Sequence, residues 1–191
     1  MPHFDHFTFI ASFYDRVIKP PDPSRMRNLA GLPASGKLLD VGGGTGRISH
    51  LLREWVTSAV VVDSSIGMLN QAKVKGGLTI ICSYSEQLSL LGESFDRVIM
   101  VDALHHVRDY RLTLKELWRV VKPGGRIVIE EPDIRTMPAK IMTIIEKLAL
   151  MRSHLVSPSV IQAAFPYPNA QTRIVSEGST SWIIIDKLAE S

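Results

Sequence analysis

A run of alternating glycines, Asp40-Val41-Gly42-Gly43-Gly44-Thr45-Gly46-Arg47, constrains this 191-residue chain more than any other stretch. It follows the short apolar segment Lys37 to Val41. It precedes Ile48, Leu51, Leu52 and Trp55, which recur at helical spacing. A strand that turns through glycine into a helix lets a ligand touch backbone. The start of the helix offers free N–H groups and about half a positive charge, so an anionic group belongs there. Asp63 ends the next apolar run, about 20 residues on, where a carboxylate can accept from a ribose diol. Together these features imply a ligand that carries both an anion and a ribose. In the dinucleotide fingerprint G-x-G-x-x-G the last glycine would fall at Arg47, which counts against a dinucleotide.

The rest of the chain keeps a strand–helix rhythm. Ala59 to Asp63 reads as a central parallel strand, rich in β-branched residues. Ser64 or Ser65 can cap the helix that follows, and Gly76-Gly77 ends it. Leu78 to Cys82 and Phe95 to Val101 are the third and fourth strands. Tyr110, Leu114, Leu117 and Val121 form the buried stripe of the next helix. Pro123-Gly124-Gly125 reads as a turn into a fifth strand, Arg126 to Glu130. This alternation predicts an α/β fold, a doubly wound and mostly parallel sheet with helices on both faces. Thr172 to Ser176 and Ser181 to Asp186, joined at Glu177-Gly178-Ser179, predict an antiparallel terminal hairpin.

Two segments flank this core. Residues 3 to 18 carry four of the six phenylalanines, and Phe7, Ile10, Tyr14 and Val17 lie at helical spacing. Pro20-Pro21-Asp22-Pro23 breaks that helix, and residues 24 to 31 suit a second short one. Residues 138 to 153 look helical with apolar residues nearly all round, and a further short helix follows Pro158. The length suggests one domain, 1–191. It divides into a helical cap over 1–35, a binding core over 37–130, a helical cap over 131–170 and the hairpin over 171–187.

Composition excludes several classes. Hydrophobic residues at 45% and charged residues at 21% suit a soluble globular chain rather than a disordered one. Cys82 is the sole cysteine, so no disulfide framework exists and a reducing cytoplasm is the expected compartment. We expect Cys82 to be a small buried apolar residue. No apolar run reaches the length of a membrane span, and Met1 to His6 lack a secretory pattern. The net charge is +3. Arg108, Arg111, Lys115, Arg119, Lys122 and Arg126 read as a solvated face, too sparse for a nucleic-acid footprint. No set of side chains has metal-ligand spacing.

Leu38 to Gly46 resembles the first motif of the class I S-adenosylmethionine-dependent methyltransferases. Val61-Val62-Asp63-Ser64-Ser65 with Met68 resembles their second motif. Phe95 to Val107, which includes Asp102-Ala103-Leu104-His105-His106, resembles the fourth strand and its exit loop. Glu116 to Arg126 resembles the segment before the fifth strand. The likeness extends to the small-molecule branch that includes the ubiquinone and menaquinone biosynthesis methyltransferases. It implies a Rossmann-like seven-stranded sheet and S-adenosylmethionine as cofactor, with S-adenosylhomocysteine as product. It also implies that Asp40, Gly42, Gly43, Gly44 and Gly46 hold the methionine end and that Asp63 binds the ribose. Ser64 and Met68 would lie near the adenosine, and Val101, Asp102 and Leu104 near the sulfonium. Tyr14 would close over the cofactor. An acidic residue that often meets adenine in the family is Ser83 here, followed by Tyr84. The adenine therefore needs the Ser83 hydroxyl or a backbone carbonyl.

Methyl transfer from a sulfonium needs alignment and exclusion of water more than acid–base chemistry. A base is needed only for a nucleophile with a tightly held proton. His105 and His106 are the catalytic candidates. Asp102, Glu131 and His154 are further candidate bases, and Glu130-Glu131 either faces the pocket or simply ends a strand. The loop after the fourth strand lacks the Pro-Pro-aromatic motif of amino-methylating nucleic-acid enzymes, so the expected acceptor is small and partly apolar. A nucleotide-dependent oxidoreductase and a non-catalytic cofactor-binding protein are the alternatives. Oligomeric state is not legible in the sequence.

Overall fold

The computed structural model describes residues 23–132 and 156–189. The aromatic N-terminal helix with Tyr14, the apolar helix over 138–153 and His154 lie outside the described residues. Within them the order is α1 (Pro23–Ala30), β1 (Ala34–Val41), α2 (Arg47–Leu52), β2 (Val56–Asp63), α3 (Ile66–Lys75), β3 (Thr79–Cys82) and β4 (Phe95–Val101). It continues with α4 (Tyr110–Val120), β5 (Val121–Pro132), α5 (Pro158–Ala163), β6 (Ala170–Glu177) and β7 (Thr180–Lys187).

The seven strands form one sheet in the order β3-β2-β1-β4-β5-β7-β6. Strands β1 to β5 run parallel, and β7 is antiparallel to both β5 and β6. The strand order reverses at β1, between β2 and β4. Open α/β sheets bind ligands at such a switch point, beyond the carboxyl ends of the strands. The hairpin turns at Gly178, which has a φ of 58°.

Period-two alternation divides the core between the two faces. Leu39, Val98, Met100, Ile127, Ile129, Ile183 and Ile185 join Leu114, Leu117 and Trp118 of α4 and Ile161 of α5. The alternate residues Leu38, Ile99, Val128 and Ile184 join Met26 and Leu29 of α1 and Ile48 and Leu52 of α2. Both faces are covered, which is why the parallel strands read as continuous apolar runs. Helix starts are capped as their side chains allow. Asp109 accepts from the amides of Arg111 and Leu112, and Ser65 from that of Met68.

Four sequence expectations need correction. Pro123-Gly124-Gly125 is not a turn before the strand. It lies inside β5, where Phe95 pairs with Val121 and Arg97 with Arg126, so the intervening chain bulges. Cys82 is exposed rather than buried, because β3 is an edge strand. The helix suggested by the spacing of Ile48, Leu51, Leu52 and Trp55 stops at Leu52 and gives way to a 3₁₀ turn over Arg53–Trp55, and Leu51 is exposed. Finally, three residues of the basic cluster do not belong to a free solvated face. Arg119 pairs with Glu116, Lys122 with Asp96 and Arg126 with Asp186. No described helix is long and apolar enough to cross a membrane.

Candidate active site

The glycine loop leaves β1 at the switch point, and its glycines answer different constraints. A Cβ on Gly42 would lie 2.6 Å from the Cβ of Ala103, and one on Gly43 would lie 2.6 Å from Asp40 Cγ. One on Gly46 would lie 2.7 Å from Leu78 Cδ1. Those three glycines are required by the protein's own packing. Gly44 differs, because the nearest atoms to its Cβ position, Asp63 Oδ2 and Met68 Sδ, are 4.0 Å away. Its φ is 54°, so glycine is needed there for backbone shape, and among the described residues no atom crowds its Cβ position.

Two carboxylates flank that position. Asp63, at the end of β2, accepts from the Gly44 amide at 2.9 Å and from the Ser65 amide at 2.8 Å. These two backbone bonds orient the carboxylate at the edge of the glycine loop. Asp40, at the end of β1, is 1% exposed. Its Oδ2 accepts from Ser49 Oγ at 2.5 Å, whereas its buried Oδ1 has no hydrogen-bond partner among the described residues. Burial pushes its pKa up to about 6. The Ser49 bond opposes that rise and the charge of Asp63 adds to it. A buried acceptor without a donor is costly, about 1–3 kcal/mol, and suits a cationic donor supplied by a ligand.

Next to Asp63, Ser83 donates its amide to the Asp63 carbonyl at 3.1 Å and its hydroxyl to the Gln87 carbonyl at 3.0 Å. With that proton directed to Gln87, the hydroxyl oxygen is available as an acceptor. Tyr84 is exposed, with the Arg108 guanidinium 5.3 Å from its ring centre. Ser64 is exposed and Met68 is buried at the start of α3.

The β4–β5 end is built from side chains. Asp102 follows Val101 with a φ of 50°, unusual for a residue other than glycine. Its amide donates to the Glu130 carbonyl at 2.9 Å, and its carboxylate lies 3.6 Å from Arg47. Glu131 is buried. Its Oε1 accepts from the amides of Ala103 (3.1 Å) and Leu104 (2.7 Å), and its Oε2 contacts His105 Nδ1 at 2.6 Å. The rings of His105 and His106 are 4.0 Å apart, the first buried and the second partly exposed. Glu130 accepts from Trp182 Nε1 at 2.6 Å. Burial first, then the charge of Asp102, pushes its pKa up to about 7.

The fold thus gathers the expected residues from five strand ends, with Tyr14 outside the described residues. Asp40, Asp63, Asp102, Glu130 and Glu131 make this edge strongly acidic, and Arg47 faces Asp102 across it. The arrangement favours a ligand that brings positive charge. Sequence reasoning missed Arg47 and Trp182 as parts of the site. Arg47 was readable only as a missing glycine. Trp182 reaches the site because the antiparallel register sets it opposite Glu130, and no local signal announces that pairing.

Comparison with known proteins bears on the same region. A family model described as "Methyltransferase domain" matches residues 39–129, from β1 into β5. A demethylmenaquinone methyltransferase of Corynebacterium glutamicum (strain R) is 31% identical over 88% of this chain and 69% of its own. Among solved structures, a Thermotoga maritima S-adenosylmethionine-dependent methyltransferase superposes with a TM-score of 0.76. It is 21% identical and covers 95% of this chain and 98% of its own. The DhpI–S-adenosylhomocysteine complex superposes with a TM-score of 0.75 at 16% identity, covering 97% of this chain and 95% of its own. These superpositions establish a shared fold.

Proposed function

The chain belongs to the class I S-adenosylmethionine-dependent methyltransferases, and from that premise we propose that it methylates a small, partly apolar acceptor of the quinone type. The enzyme class and the cofactor follow from the family. The acceptor class rests on the substrate for which the corynebacterial relative is named. Bound S-adenosylmethionine supplies an electrophilic methyl group on a sulfonium that departs without protonation.

The observation that carries the reading is the buried Asp40 Oδ1, without a hydrogen-bond partner among the described residues, beside a Gly44 whose Cβ position has no described atom nearer than 4.0 Å and which faces Asp63. Asp40 would meet the positive charge of the methionine end, and the Gly42–Gly46 backbone would line it. Asp63 would hold the ribose hydroxyls, with Ser64 and Met68 against the adenosine. Ser83 would accept from the adenine amino group, because its own proton is directed to Gln87. Val101, Asp102 and Leu104 would border the sulfonium, and Tyr14 would cover it. The acceptor would enter at the β4–β5 end. His105 and His106 stand there as candidate bases for a nucleophile that must lose a proton.

The test is methyl transfer from isotope-labelled S-adenosylmethionine to a reduced demethylated naphthoquinone, with a nucleic acid and a peptide as comparison acceptors. Label in the quinol product alone supports the reading. Label in the nucleic acid or peptide, or in none of them while cofactor binding is intact, overturns it.

A further inference from the structure

We infer that Glu131 is a positioning residue for methyl transfer: it fixes the loop that leaves β4, and the His105 ring upon it, against the place where the acceptor must lie. This deepens the proposed function and rests on it. Glu131 comes from β5, yet its three polar contacts all go to the chain that leaves β4. One oxygen receives the amides of Ala103 and Leu104, and the other meets His105 Nδ1 at 2.6 Å. Glu131 and His105 are each 3% exposed, so water does not compete for these bonds.

The loop needs such a fastening. Asp102 holds a left-handed φ of 50°, a conformation that residues with a Cβ disfavour. Its amide is already bonded to the Glu130 carbonyl. The next two amides point back towards β5, where no strand partner receives them, and Glu131 stands in for one. The loop is thereby tied to β5 by backbone at Asp102 and by one carboxylate at residues 103 to 105. It also abuts the glycine loop, since a Cβ on Gly42 would strike Ala103 at 2.6 Å. A shift of Ala103 would therefore disturb both the floor of the cofactor site and the wall of the acceptor site.

The contact with His105 adds a chemical consequence. A carboxylate at Nδ1 takes the N–H there, so the neutral ring keeps its lone pair on Nε2. Glu131→Gln separates the two duties. A glutamine oxygen can still accept from Ala103 and Leu104, but its NH₂ group cannot accept from His105 Nδ1–H. The ring must then change tautomer or lose the contact. Glu131→Ala removes both.

The experiment compares the full-length wild type, Glu131→Gln and Glu131→Ala. It reads kcat and KM for a reduced demethylated naphthoquinone against pH, S-adenosylhomocysteine affinity by calorimetry, and amide hydrogen exchange at Ala103 and Leu104. Misplacement of about 1 Å can lower a rate by about 100-fold, so kcat should fall by about that factor in Glu131→Ala, with faster exchange at both amides. Glu131→Gln should keep slow exchange, lose about tenfold in kcat and show an altered pH profile. S-adenosylhomocysteine affinity should stay within a few-fold of wild type in Glu131→Gln, where Ala103 keeps its acceptor, and fall in Glu131→Ala, where Ala103 is released against the glycine loop. Wild-type kcat and pH profile in Glu131→Gln overturn the inference, as does unchanged exchange in Glu131→Ala. If Glu131→Ala does not fold, Glu131→Gln decides the matter alone. A wild type that binds S-adenosylhomocysteine but methylates no quinol overturns the acceptor reading instead, and the His105 tautomer in Glu131→Gln, read by nitrogen NMR, then decides the role of Glu131.

Discussion

At the β1–β2 end of the sheet edge the chain turns on glycines, and the polar groups offered to a ligand are backbone amides and two carboxylates. At the β4–β5 end the chain turns without glycine, through Asp102, and is held by side chains from the neighbouring strand. On the proposed function the first end would hold the cofactor, chiefly by a glycine backbone that a side-chain change does not alter. On the proposed function the second would meet the acceptor, and there side chains carry the shape. Loss of a glycine should therefore act on packing or cofactor binding, and loss of a carboxylate at β4–β5 on turnover or pH response.

The largest effect is expected from Asp63→Ala. Two charged hydrogen bonds to ribose, at about 1.5–3 kcal/mol each, amount to a loss of roughly 100-fold or more in S-adenosylhomocysteine affinity. Calorimetry on the folded variant would break the comparison if affinity stayed near that of wild type.

Glu130→Gln comes next and concerns the opposite end. The folded pKa of Glu130, about 7, is raised above its ordinary 4.5, so the native state binds more protons than the unfolded chain between those values. That stability is fully present below about 4.5 and is lost as the pH rises through 7. The penalty for ionised, buried Glu130 is roughly 3 kcal/mol at its full extent. Thermal melting should therefore show Glu130→Gln gaining on wild type between pH 5 and pH 8. A constant difference across that range would remove the buried-acid account. Asp40, raised from 3.8 to about 6, acts with the same sign at lower pH and is present in both proteins.

A paired substitution sharpens the contrast within the glycine loop. Gly46→Ala forces a Cβ to 2.7 Å from Leu78 at a φ of 68°, and should destabilise by about 2 kcal/mol or more. Gly44→Ala carries the same left-handed strain, at a φ of 54°, but meets no such wall, and sets its methyl group in the space proposed for the cofactor. Melting temperature should fall further in the first, and S-adenosylhomocysteine binding should be lost in the second. The reverse pattern would mean that Gly44 does not face the ligand. The smallest effect is expected from Lys122→Ala, remote from both ends. It loses a partly exposed pair with Asp96, about 0–1 kcal/mol of stability, and should not change S-adenosylhomocysteine affinity.

What the sequence made legible follows the same division. The glycine loop, Asp63 and the parallel strands were readable because their signals are local: a turn that needs glycine, a carboxylate after a β-branched run, apolar segments of strand length. The hairpin was readable from Gly178 and its flanking alternation. The β5 bulge was not, because Pro123-Gly124-Gly125 looks the same as a turn or as an excursion within a strand. Exposure of Cys82 depends on β3 being an edge, which is a matter of strand order. The functions of Glu130 and Glu131 depend on partners 52 and 26 to 28 residues away, Trp182 and the loop after β4. Those partners meet only once sheet register is set.

The central claim is that one S-adenosyl ligand lies across the switch point, its methionine end over Gly42–Gly46 and its ribose at Asp63. A crystal structure of the protein with S-adenosylhomocysteine tests it most directly. The account expects the ligand amino group against Asp40 and both ribose hydroxyls on the Asp63 carboxylate. A ligand bound elsewhere on the chain, or no binding at millimolar concentration, would contradict it.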